Sequence, residues 1–168
     1  ITDSPLSKLD LSQNIALIVL NLDNNKLEEL DLRNNSKLNR ISCVENKLTS
    51  LQLNGLTELN SLTAYKNNLR SIDLKSNINL NSFIASNNKL QNLDVSANEK
   101  LENLDIWDNE IAEIDLSTNR MLNSLSVEGN NLLQLNLEGN PLLVYLYCNT
   151  NNLEFLDLSK NQLLESVG

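Results

Sequence analysis

A period of 21 residues, kept without one insertion or deletion, constrains this chain more than any other feature. The eleven-residue phrase Leu101–Ile111, LENLDIWDNEI, recurs at Leu17–Leu27, Leu38–Leu48, Leu59–Leu69, Leu80–Leu90, Leu122–Leu132 and Leu143–Leu153. A unit this short cannot bury its own apolar side chains. Successive units must therefore stack as coils and share one continuous core.

Counting each repeat from its first leucine assigns a task to every column. Position 1 is Leu17, Leu38, Leu59, Leu80, Leu101, Leu122, Leu143 and Leu164. Position 4 is Leu20, Ile41, Leu62, Phe83, Leu104, Leu125 and Leu146, and position 6 is Leu22, Cys43, Ala64, Ala85, Ile106, Val127 and Cys148. Positions two apart share one face of a strand, so 4 and 6 point inward while 3, 5 and 7 point out. Position 9 is asparagine in every copy, from Asn25 to Asn151. An amide side chain has both a donor and an acceptor, which suits a turn whose backbone groups have lost their ladder partners. Positions 14 and 16 are aliphatic again, and position 19 is asparagine except at Leu56. This return leg is too short, and too close to a period of two, for a helix.

The phrase L-x-x-L-x-L-x-x-N-x-L is the leucine-rich-repeat signature. The fuller pattern, with Cys43 inside Leu38–Leu48 and LDLSKN at Leu156–Asn161, resembles the bacterial internalin family and its members with 21-residue repeats. The expected fold is a leucine-rich-repeat solenoid of seven to eight coils. It has a parallel β-sheet on one face, extended or turn-like return legs, and little or no α-helix. Residues 1–168 form one domain. Ile1 and Gly168 both fall mid-repeat, neither end has a polar cap, and no initiator methionine is present, so a segment of a longer chain is expected. The resemblance implies a secreted or surface-anchored bacterial protein that binds a partner without catalysis.

A net charge of −9 disfavours nucleic acid and anionic membranes as partners. No apolar run is long enough to cross a bilayer, and no signal peptide is present. Cys43 and Cys148 lie five repeats apart in one column, roughly 24 Å at about 4.8 Å per coil, beyond disulfide reach. Both are expected as buried free thiols. In the return leg around Gly55, Gln52 and Leu56 replace the usual Asp and Asn, which predicts a reshaped turn.

Position 15 carries Asp10, Asp31, Gln52, Asp73, Asp94, Asp115, Asn136 and Asp157. Adjacent like charges repel across strands. Either local turn hydrogen bonds or calcium between coils could offset this. Gln52 and Asn136 keep the hydrogen-bonding capacity without the charge, which favours turns and predicts no metal site.

The absence of histidine removes Ser-His-Asp and Cys-His catalysis and imidazole zinc sites. Asp105 and Glu128 imitate a glycosidase pair, but on an open sheet face with no pocket to exclude water. A non-enzyme without cofactors is expected. The positive signal is that positions 3, 5 and 7 hold all three tyrosines and the only tryptophan. Strand propensity favours aromatics but does not exclude them from every other column. The predicted ligand-binding residues are Tyr65, Ile84, Asp105, Trp107, Glu128, Tyr145 and Tyr147. A protein partner fits the broad face best. A polysaccharide stacked on the rings, or a spacer role within a surface fibre, are the alternatives.

Overall fold

The computed structural model describes residues 1–168, and every strand in it is two or three residues long. In chain order these are β1 (Val19–Asn21), β2 (Glu29–Asp31), β3 (Arg40–Ser42), β4 (Ser50–Gln52), β5 (Ser61–Thr63), β6 (Ser82–Ile84), β7 (Asn103–Asp105), β8 (Ser124–Ser126), β9 (Tyr145–Tyr147) and β10 (Ser166–Val167). Eight of them form one parallel sheet in the order β1-β3-β5-β6-β7-β8-β9-β10. Its register keeps equal positions side by side: Leu20 faces Ile41, Leu62 faces Phe83, and Leu104 faces Leu125. The 21-residue period is thus the register itself. There is no helix, and the structure is the leucine-rich-repeat solenoid the sequence predicts.

The inward columns merge into one cluster of 36 buried residues. Phe83 is fully buried in the same cluster as Ala64 and Ala85, so one large side chain is offset by two small ones. Only β2 and β4 pair on the return side, Leu30 facing Leu51. Elsewhere the return legs are turns, and the position-15 side chains close them. Asp94 accepts from Ser96 N–H at 3.0 Å, Asp115 from Ser117 N–H at 2.9 Å, and Asn136 from Glu138 N–H at 3.0 Å. Because Asn136 does this without charge, the column works as hydrogen-bonded turns.

The two asparagine columns differ in what depends on them. At position 9, Asn109 donates to the carbonyls of Ala85 and Ile106, at 3.1 and 3.0 Å, and accepts from Leu90 N–H at 2.9 Å. That contact is the partner of an N–H on a fully buried residue. At position 19, Asn119 donates to the carbonyls of Val95 and Asn98, but each of these already accepts a backbone N–H. Its own Oδ1, like those of Asn35, Asn77, Asn98, Asn140 and Asn161, is buried with no protein donor. The second ladder is therefore dispensable at single rungs, and Leu56 occupies one, fully buried. Beside it Gly55 takes a φ of +86°, the reshaped turn expected there.

Position 8 is left-handed throughout, from Asn24 to Thr150, with φ between 51° and 63°. Only Gly129 among these is glycine. Backbone bonds to the next coil hold the non-glycine residues from Asn24 to Asp108 in place, as in Glu45 N–H to the Tyr65 carbonyl at 3.0 Å and Asp108 N–H to the Glu128 carbonyl at 2.9 Å.

One expectation needs correcting. Cys43 is fully buried, and burial pushes its thiol up to about 12, but Cys148 is only half-buried.

Candidate functional site

The outward face of the main sheet is built from three rows of alternating side chains. The register sets Ile84, Asp105, Ser126 and Tyr147 side by side across β6, β7, β8 and β9. The row nearest the turn runs Tyr65, Ser86, Trp107, Glu128. Backbone spacing would hold Tyr65 and Trp107 about 9.6 Å apart, two coils at roughly 4.8 Å each. Their ring centroids are nonetheless 5.8 Å apart, tilted at 43°. They lean together over Ser86, which is small enough to be fully covered. Such tilted pairs are attractive beyond their buried area.

Ser86 also organises the polar side of this patch. Its hydroxyl receives the Trp107 N–H at 3.1 Å and donates to the Asp105 carboxylate. Asp105 is half-buried, and that burial raises its carboxyl above the usual range, although the Ser86 hydroxyl and the Trp107 N–H pull it back. The same three positions carry a mirrored device at the other end of the sheet. There Asp23 stands in the turn row and accepts both the Ser42 hydroxyl at 2.6 Å and the Val44 N–H at 2.8 Å. A Ser–Asp pair is thus one way of satisfying the N–H where the chain leaves the strand. Asp105 has that structural task whatever else it does.

Lys66, at the left-handed turn, lies with Nζ 5.3 Å from the Tyr65 ring centroid and 2.9 Å from Glu45. Both charges are about half exposed, so this pair positions Lys66 more than it stabilises the fold. Tyr145 and Tyr147 flank buried Leu146 in β9, and both are exposed, at 41% and 38%. All seven predicted residues therefore fall on one face. Tyr65, Ile84, Asp105, Trp107 and Glu128 lie in adjacent coils, and the two tyrosines stand at the far end of the same rows.

Two apolar features escaped the sequence reading. Column 21 changes from Lys37, Glu58, Asn79 and Lys100 to Met121, Leu142 and Leu163, all three exposed. Met121 and Leu142 share a shallow concavity with Tyr145, Glu102 and Asn123 at the strand-entry edge of the face. That change of composition along one column was the available signal. On the return side, Leu133 and Phe155 are exposed at 69% and 78%, lining a second open concavity with Gln134, Glu138 and Glu154. It lies away from the aromatic rows.

A parallel sheet of 21-residue coils with an asparagine ladder and a solvent-facing aromatic surface defines a leucine-rich-repeat protein. No family model and no curated protein matches the chain. Among solved structures, the functional domain of internalin J from Listeria monocytogenes, described as including a cysteine ladder, is similar at 33% identity and a TM-score of 0.77. The match covers 96% of this chain and 41% of that one, so the chain spans less than half its length. A leucine-rich-repeat protein of Leptospira interrogans superposes at a TM-score of 0.88 with 24% identity, over 95% of this chain and 45% of that one. Internalin C2 of Listeria monocytogenes superposes at 0.85 with 19% identity, over 99% and 77%. These last two likenesses are of fold alone. The chain is a bacterial-type leucine-rich-repeat protein resembling the internalin family, and its own two cysteines, Cys43 and Cys148, share position 6 of the repeat.

Proposed function

We propose that this chain is a non-catalytic, adhesin-like scaffold that recognises a protein partner outside the cell through its open sheet face. The observation that carries this reading is that every tyrosine and the one tryptophan stand on that face with their rings reachable from solvent, surrounded by serine and threonine. Aromatic anchors within a polar rim are the usual anatomy of a protein-binding patch. The internalin resemblance supports a place on the surface or outside the cell. No helix is long and apolar enough to cross a membrane. A polysaccharide is the second reading, favoured by the exposed rings of Tyr145 and Tyr147, on which sugars can stack.

The test is to immobilise the chain and present both a surface-protein extract of host or neighbouring cells and a glycan array. The expected outcome is a protease-sensitive ligand, retained by the native chain and lost when Trp107 and Tyr147 are both changed to alanine. Retention of glycans alone, or retention unaffected by that double change, would contradict the reading.

A further inference from the structure

The charges on the open face are unevenly distributed. From Ser82 to Thr150, positions 3, 5, 7 and 8 contain Asp105, Asp108 and Glu128 and no lysine or arginine. The three ion pairs of the molecule are Arg33–Asp31, Lys66–Glu45 and Lys75–Asp94, so none of these three carboxylates has a cation of its own. Trp107 stands among them, beside Asp105 and Asp108 in its own coil and Glu128 in the next. Two coils away the geometry is already present, with the Lys66 ammonium beside the Tyr65 ring and against Glu45. Around Trp107 the ring and the carboxylates are present, and the cation has to come from elsewhere.

We propose that this stretch of the face takes a basic segment of a protein partner, seating an arginine or lysine side chain against Trp107 and between the carboxylates of Asp105 and Glu128. The inference rests on the open face being the docking surface and adds the chemistry of what docks. An aromatic ring attracts a cation through its quadrupole, and adjacent carboxylates add charge-assisted hydrogen bonds. A net charge of −9 draws such a segment in. Asp105 is well suited to this. Ser86 fixes one of its oxygens, and its partial burial makes the arrival of a cation more rewarding than at the rim.

Trp107 is the only tryptophan, so its fluorescence reports directly on the patch. The probe is a synthetic peptide of alternating arginine and serine, titrated beside an equally long peptide of alternating glutamate and serine. A saturable change is expected with the first and none with the second. Changing Asp105→Asn, which keeps an acceptor for the Ser86 hydroxyl, together with Glu128→Gln should weaken the arginine peptide by about tenfold or more, with the variant still folded at the titration temperature. The Glu128 side chain makes no hydrogen bond within the chain, so Glu128→Gln alone carries the test if the double variant fails to fold. Glu154→Gln with Asp157→Asn removes the same charge from the return side and should weaken binding by less than about twofold. Equal weakening by both pairs would reduce the effect to bulk charge and overturn the proposal. So would a response to the glutamate peptide, or a saturable response to an oligosaccharide with none to arginine. If the arginine peptide fails while partner capture is still lost with Trp107 and Tyr147, the docking surface stands and the cationic partner does not.

Discussion

Thr150 holds a φ of +52°, which a β-branched residue adopts only under constraint. A left-handed backbone costs a non-glycine residue roughly 1–2 kcal/mol. Thr150→Gly should therefore raise stability by about 1 kcal/mol in denaturant titration, and a loss of stability would show that the threonine is favoured where it stands. The thiols offer a second residue-level contrast. Only the thiolate reacts, and Cys43 is fully buried with its thiol pushed up to about 12, whereas Cys148 is half-buried. A thiol reagent should label one cysteine of the native protein, Cys148, and reach Cys43 only on unfolding. Labelling of Cys43 in the folded chain would contradict its place in the core. The left-handed column itself was not legible in the sequence. Asn, Glu, Lys, Asp and Thr share no turn signature, and from Asn24 to Asp108 coil-to-coil backbone bonds impose the angle on whatever residue is there.

At the scale of the repeating element, the asparagine columns make unequal contributions. Asn109→Leu removes the acceptor for Leu90 N–H, and a buried unpaired amide costs on the order of 1–3 kcal/mol. Asn119→Leu leaves Val95 and Asn98 carbonyls with their backbone donors and removes an orphaned oxygen, so it should cost below about 1 kcal/mol. Paired thermal melts check this, and equal costs would remove the distinction between the ladders. The sequence foretold both columns but not their inequality, because Leu56 looks like a lapse until its surroundings are seen. The position-15 turns predict a pH dependence. Asp10 and Asp115 are held low first by the N–H two residues on, Asp94 first by the Ser96 hydroxyl, and Asp31 by Arg33 to about 2. Groups whose folded pKa is depressed stabilise above the unfolded carboxyl value, near 4, and that contribution fades as pH falls through the folded values. Asp105, raised by burial, runs the opposite way and is relieved as it protonates. Since the depressed groups outnumber it, melting temperature should fall as pH drops below about 4. A chelator at neutral pH should leave it unchanged, and a chelator-induced drop restored by calcium would make the column a metal site.

For the whole molecule, the fold was legible because a fixed period leaves one way to stack. Inward and outward columns follow from strand alternation, and the observed register repeats the sequence spacing residue for residue. The outward face was legible as a set of columns. Its finer arrangement was not, since the closing of Tyr65 on Trp107 over Ser86, and the bond from Ser86 to Asp105, join residues 19 to 42 apart in the chain. Nor did the sequence weigh the return-side patch of Leu133 and Phe155, an exposed apolar cluster on the opposite side from the aromatic face. Comparing the two surfaces against one captured partner tests the central claim most directly. Trp107→Ala should cost about 1 kcal/mol of stability, the loss of its pairing with Tyr65, and weaken partner binding by roughly thirtyfold. Leu133→Ser with Phe155→Ser should leave the affinity within about twofold. Undiminished binding by Trp107→Ala together with loss of binding by the return-side pair would contradict the account and move the docking surface to the other side of the solenoid.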